Sequence, residues 1–204
     1  MEIKKQKDSE EVPIFIEGET ICLIPHNSEY INLYVKWNND PKVRKYARSI
    51  FPIRVEDAKK WFESSERGIP DYIGFVIWHK KDKKPIGTIG LGPVNWVDGW
   101  ANLGALIGEP KYWNKNIVTE AAELVIEYAF NELNLFKLQA CAAIENIGSW
   151  TVAEKLGFLF EGIGKNDMYV DGKYLDEKRY CLFREDWLNS RKLKQNRKMD
   201  LTSD

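Results

Sequence analysis

The sequence predicts an α+β domain in which helices clasp a mixed, largely antiparallel sheet of six to seven strands. Three observations carry that expectation. Apolar periodicity changes from helical to strand-like near residue 72. Asp-Gly pairs at 98–99 and 171–172 mark turns between apolar runs. One long, deeply apolar helix follows the fourth strand, and only a sheet covers such a helix well.

The elements follow in order. "TICLIP" (20–25) reads as a first strand stopped by Pro25. "SEYINLYVKWNND" sets Tyr30, Leu33, Tyr34 and Trp37 on one helical face, with Ser28 as N-cap. "VEDAKKWFESSE" groups Val55, Ala58, Trp61 and Phe62 on a second helix. "YIGFVIWH" (72–79), "IGTIGLG" (86–92) and "WANLGALIG" then form an antiparallel meander, its last turn a two-residue hairpin at Asp98-Gly99. The long helix carries Val118, Ala121, Ala122, Val125, Tyr128 and Ala129 on one face, and Leu124, Ile126 and Phe130 on another. "FKLQACAAI" (136–144) alternates as strand five, "SWTVAEKL" is a short helix ended by Gly157, and a last hairpin turns at Asp171-Gly172.

The chain's 204 residues suffice for one domain, placed at 14–188 between a polar N-terminal extension (1–13) and a basic C-terminal tail (189–204). Thirty basic residues against thirty-one acidic ones create no net field, which opposes nucleic acid and anionic membranes as partners. Cys22, Cys141 and Cys181 are odd in number and widely spaced, which argues against a disulfide framework and against a metal cluster. The N-terminus lacks the apolar run of a signal peptide, and no stretch approaches the ~20 apolar residues of a membrane span. The expectation is a soluble, cytoplasmic protein, monomer or homodimer.

"EPKYWNKNIVTEAAEL" (109–124) joins strand four to the long helix. The first N–H groups of a helix lack internal partners and sit at the positive end of its dipole, so they bind phosphate readily. Lys111 and Lys115 add full charges. An ordinary helix capped by Asn116 explains the same residues. Ile107-Gly108 ends the strand, "VTEAA" opens the helix, Ser149 follows Asn146 by three residues, and Gly157-Phe158 follows it by eleven and twelve. On these motifs, with "DGKYLDEKRYCLFREDW", residues 20–187 resemble the GNAT superfamily of acyl-CoA-dependent N-acetyltransferases. The likeness is greatest to the branch holding ribosomal-protein N-terminal acetyltransferases and polyamine- and amino-sugar-acetylating relatives.

The resemblance implies a sheet splayed between strands four and five, with acetyl-CoA as co-substrate and no metal. Leu106, Ile107 and Gly108 would flank the thioester. Lys111, Asn114, Lys115, Asn116 and the helix start Ile117, Val118 and Thr119 would hold the pyrophosphate, and Asn146 and Ser149 would contact cofactor or acceptor. The family loop R/Q-x-x-G-x-G/A is altered at all three defining positions, to Lys111, Asn114 and Asn116. Asparagine tolerates the left-handed conformation best after glycine, but its side chain enters the phosphate's space. Obstruction of N–H donors would cost on the order of 1–3 kcal/mol, and a return to glycine would tighten binding.

The family transfers the acetyl group directly to an amine. Its usual Tyr acid falls here on Ala153, and Ser149 matches the Ser, three residues after the Asn, that the resemblance to the ribosomal-protein branch implies as acid instead; equally, Ser149 caps the short helix. Glu109 is the candidate base, or a surface charge, and Asp167 lies one residue out of register for a branch carboxylate. Tyr30, Tyr34, Trp37, Tyr46, Trp61, Trp96 and Trp100 are candidates for an aromatic acceptor wall, or for core. The function implied is acetyl transfer to a primary amine, either a small molecule or a protein N-terminus. The alternative is a catalytically degenerate member serving as acyl-CoA sensor or scaffold.

Overall fold

The computed structural model describes residues 12–47, 50–63 and 68–201. In chain order the elements are β1 (Ile16–Glu17), β2 (Ile21–Pro25), α1 (Ile31–Asn39), α2 (Pro41–Arg44), α3 (Val55–Lys59), β3 (Ile73–His79), β4 (Lys84–Asn95) and β5 (Trp100–Ile107). Then come α4 (Ile117–Asn131), β6 (Lys137–Ala143), α5 (Ile147–Lys155), β7 (Leu159–Val170), β8 (Lys173–Phe183) and α6 (Arg184–Leu201). Strands four and five of the sequence reading are thus β5 and β6. The sheet order is β1-β2-β3-β4-β5-β6-β8-β7, all pairs antiparallel except β5–β6.

β2 is buried at four successive residues because helices cover both sheet faces. On one face Ile21 and Leu23 join the main core with Val125, Ala129 and Phe130 of α4 and with Ala153 of α5. On the other, Cys22 and Ile24 pack with Tyr34 and Trp37 of α1. A small third cluster joins Ala143 of β6 to Met168, Val170 and Leu175 of the last hairpin, with Tyr46 leaning on it. Helices α4 and α5 therefore share one face, and α1 occupies the other.

Several expectations need correction. The eighth strand is the two-residue β1, too short to show alternation. Asn27, not Ser28, caps the turn leading into α1: its Oδ1 accepts from Glu29 N at 2.9 Å. The second helix ends at Lys59 and tightens into a 3-10 turn at 60–62, leaving Trp61 45 % exposed; residues 64–66 of the expected helix lie outside those described. The turn between β4 and β5 has four residues, 96–99, because Asn95 Oδ1 accepts from both Val97 N and Asp98 N and opens the loop early. The Asp171-Gly172 turn has two residues, both with positive φ, as a tight hairpin demands. The expected boundary at 188/189 falls inside α6. This helix runs on to Leu201 and is anchored at its start by Trp187 against Phe130 and by Arg191 on Glu127 at 2.9 Å.

Candidate functional site

β5 is bonded to β4 from Leu103 to Ile107, yet its other edge meets β6 only at Trp100, Ala101 and Asn102. Residues 140–143 of β6 are bonded to β8 alone. The sheet thus opens into a wedge between 103–107 and 140–143, where β5 and β6 share no ladder pairing. Such an edge pairs readily with an extended amide-bearing ligand. This is the expected splay. Leu106 leans toward α1 and Ile107 into the α4 core. Gly108 is required where it stands: a Cβ there would lie 2.1 Å from the Trp37 ring.

The turn after β5 leads from Glu109 to Asn116. Asn114 and Asn116 both have φ of 58°, the left-handed conformation usually supplied by glycine. Asn116 occupies the N-cap position of α4 but makes no side-chain cap, since capping needs extended backbone. Its Oδ1 instead accepts from Lys155 Nζ of α5 at 3.1 Å. The expected Asn116 cap is therefore absent, and the first helical backbone bond at Asn116 O is donated by Glu120. The N–H groups of Ile117, Val118 and Thr119 precede it, with no helical acceptor of their own. They are held in place because the Ile117 and Thr119 side chains are buried.

Cations surround this turn. Tyr112, buried beneath it, donates its hydroxyl proton to Asp82, and Lys84, Lys111 and Lys115 stand 5.6, 4.9 and 5.7 Å from its ring centre. The Tyr112 hydrogen bond holds the Asp82 carboxyl below the usual carboxylate range and outweighs the opposing effect of burial; His79, Lys111 and Lys84 lower it further. Lys111, 4.0 Å from Asp82, and Lys115 are both exposed at the turn.

At the wedge's other side, β6 runs directly into α5. Asn146 holds the N-cap position without a side-chain cap, and its carbonyl accepts from Ser149 N at 3.0 Å. Ser149 is exposed and lies inside the first turn of α5, so the reading of Ser149 as the cap is corrected. Both helix starts therefore flank the wide end of the wedge on one sheet face.

Glu109 is tied down. Its Oε1 accepts from Trp37 Nε1 and Lys36 Nζ, each at 3.3 Å, and Oε2 is 4.0 Å from Lys84 Nζ. Burial works to raise this carboxyl's pKa, but the two hydrogen bonds and the lysine charges prevail and lower it. Asp167 is likewise engaged, in an ion pair with Arg179. Of the aromatic candidates, Tyr34 and Trp37 are 1 % exposed and belong to the core. Trp96 donates to Pro70 O at 2.7 Å and lines a separate apolar recess of about 650 Å³ with Tyr72 and Tyr128. Tyr46 packs on the third cluster, and Lys45 reaches Asp171 at 3.3 Å, so the α2 region meets the last hairpin on the α1 face.

Sequence reading missed Lys155 and Glu177. Lys155 lies 39 positions from its partner Asn116, and only folding joins them. Glu177 is 5 % exposed on β8 opposite Ala143, with Arg179 Nε at 3.7 Å; alternation in "YLDEKRYCLF" marks its face but not its burial. Among the described residues, no His, Cys, Asp and Glu group is arranged to hold a metal ion, and no helix is long and apolar enough to cross a membrane.

A sheet split between two parallel strands, with a helix start at its mouth, is the GNAT architecture. The spermidine N-acetyltransferase of Vibrio cholerae, solved with CoA and spermine, shares this fold at a TM-score of 0.74 and 22 % identity, over 83 % of this chain and 98 % of that one. Residues 20–159 match the family model "Acetyltransferase (GNAT) domain", and the chain belongs to that family. Among curated relatives, the Bacillus subtilis protein named "Putative ribosomal N-acetyltransferase YdaF" is 37 % identical over 50 % of this chain and 55 % of its own. Spermidine N(1)-acetyltransferase of Escherichia coli is 32 % identical over 54 % and 59 %. The chain thus spans under three-fifths of the length of these two relatives.

Proposed function

We propose that this protein transfers the acetyl group of acetyl-CoA to a primary amine. The observation that carries this reading is the left-handed Asn114–Asn116 turn at the mouth of an open sheet wedge. It presents the N–H groups of Ile117, Val118 and Thr119 beside Lys111, Lys115 and Lys155. Three aligned donors, a helix dipole and three ammonium groups suit a pyrophosphate. The open edge of β5 along residues 103–107 suits the amide-bearing arm behind it.

The acceptor then comes from the α1 face, where α2 and the last hairpin meet. Its nitrogen lone pair attacks the thioester carbonyl, the C–S bond breaks, and the thiolate leaves with a proton. Ser149, exposed beside the wedge in the uncapped start of α5, is the group that supplies that proton, and Asn146 orients the cofactor there. The amine's own proton passes to solvent, and solvent returns a proton to the exposed Ser149 oxygen. Glu109 is poorly suited to take it, because a carboxylate surrounded by donors has a lowered proton affinity. Relatives named as a ribosomal N-acetyltransferase and a spermidine acetyltransferase support an amine acceptor, and we take it to be polyamine-like or a protein N-terminus. A cytoplasmic site of action follows from the cofactor.

Calorimetric titration with acetyl-CoA tests the reading. Saturable binding with a Kd below about 1 mM is expected. No heat at that concentration overturns the enzyme and favours the degenerate scaffold.

A further inference from the structure

We infer that Glu109 is a positioning residue: its carboxylate locks helix α1 onto the joint between β5 and the phosphate-binding turn. The inference rests on the acetyl-transfer reading only for the identity of the ligand in that turn.

Three consecutive residues of the joint are held, each by a different contact. Trp113 Nε1 donates to Ile107 O at 2.9 Å. The Trp37 ring lies flush on Gly108, where no side chain fits, and Gly108 N donates to Ile86 O at 3.0 Å. Glu109 closes the set by accepting from Trp37 Nε1 and Lys36 Nζ of α1, with Lys84 of β4 on its second oxygen. Trp37 is 1 % exposed, so its indole N–H needs an acceptor, and Glu109 supplies it. The same α1 packs on Leu106 beside the wedge, on the face that the proposed function gives to the acceptor. Glu109 therefore joins an acceptor-side helix to a cofactor-side turn, and loss of the carboxylate frees both. A base would need an oxygen turned toward the amine; here Oε1 serves two donors and Oε2 faces a lysine.

The test compares Glu109→Ala, Glu109→Gln and Trp37→Phe with the wild type in acetyl-CoA kinetics, in pH profile and in amide hydrogen exchange over residues 107–119. Glu109→Ala is expected to raise the KM for acetyl-CoA about tenfold while kcat at saturation stays within about threefold. Glu109→Gln recovers most of that loss, because its amide oxygen still accepts from the indole. Trp37→Phe resembles Glu109→Ala, and all profiles of kcat against pH superimpose. Exchange across 107–119 quickens in Glu109→Ala and in Trp37→Phe but not in Glu109→Gln. Glu109→Gln as impaired in kcat as Glu109→Ala, with the acidic limb of the profile gone, would make Glu109 the base and overturn the inference. Unchanged exchange in Glu109→Ala overturns it as well. Should the wild type bind no acetyl-CoA, the proposed function fails by itself, and the exchange data still decide the clasp.

Discussion

Helices α4 and α5 begin in similar ways and are equipped differently. Each starts at an asparagine in the N-cap position, neither asparagine caps, and both starts border the same wedge. At α4 the asparagine is left-handed, its side chain is drawn aside by Lys155, and lysines ring the turn. At α5 the first turn holds Gly148 and an exposed Ser149, with no acidic residue. Under the proposed function, one start suits a multiply charged anion and the other a single neutral proton donor. The lesson is that a helix N-terminus acquires its chemistry from what surrounds it; the dipole is common to both.

The comparison breaks hardest at Ser149. Ser149→Ala is expected to lower kcat about a hundredfold, with the acetyl-CoA Kd within about twofold and Tm nearly unchanged. A fallen Tm with intact kcat would return Ser149 to a structural role. Lys155→Ala acts on the other start: acetyl-CoA affinity, read by calorimetry, should fall about fivefold, since a cation and the restraint on Asn116 both vanish. A kcat effect larger than the Kd effect would place Lys155 with α5 chemistry instead. Smaller still is the paired change Asn114→Gly with Asn116→Gly. The backbone already has the glycine conformation and the Asn116 side chain is parked on Lys155, so the Kd should move by less than about threefold. The sequence alone led to a clear gain, and tightening by more than tenfold would restore that view.

The slightest effect concerns Glu120, in the first turn of α4. Its carboxylate reaches back to Thr20, accepting from Thr20 N at 2.8 Å and from the Thr20 hydroxyl. Burial pushes its pKa up, and the hydrogen bonds from Thr20, Ile21 and Glu19 override this to hold it below the usual 4.5. A depressed carboxylate stabilises the fold above its unfolded pKa and loses that stabilisation as pH falls through the folded value. The Tm of the wild type should therefore drop on going from about pH 5 to about pH 3 more steeply than that of Glu120→Gln. Parallel curves would remove Glu120 from the α4 anchor. No counterpart exists at α5, whose first turn lacks an acid.

Much of the fold was legible because its signals are local. The 3.6-residue spacing of Tyr30, Leu33, Tyr34 and Trp37 marked α1, Asp171-Gly172 marked the last hairpin, and the doubly apolar α4 announced a sheet beneath it. Where competing local bonds decide a boundary, the reading slipped: Asn27 displaced Ser28, and Asn95 lengthened the β4–β5 loop. At the candidate site, the chain order placed the turn at the end of β5 and Asn146 with Ser149 at the start of α5.

The sequence alone was enough for an α+β domain, its family and the place of the turn before α4, because motif spacing and apolar period survive without contacts. Only the tertiary structure decided what the side chains do there. Lys155 meets Asn116, Glu109 is captured by Trp37 and Lys36, and Glu177 is buried beside Arg179. The first two join distant segments, the third lies within β8 and owes its burial to packing from elsewhere, and the energy of each depends on distance and burial, which exist only once the fold has formed.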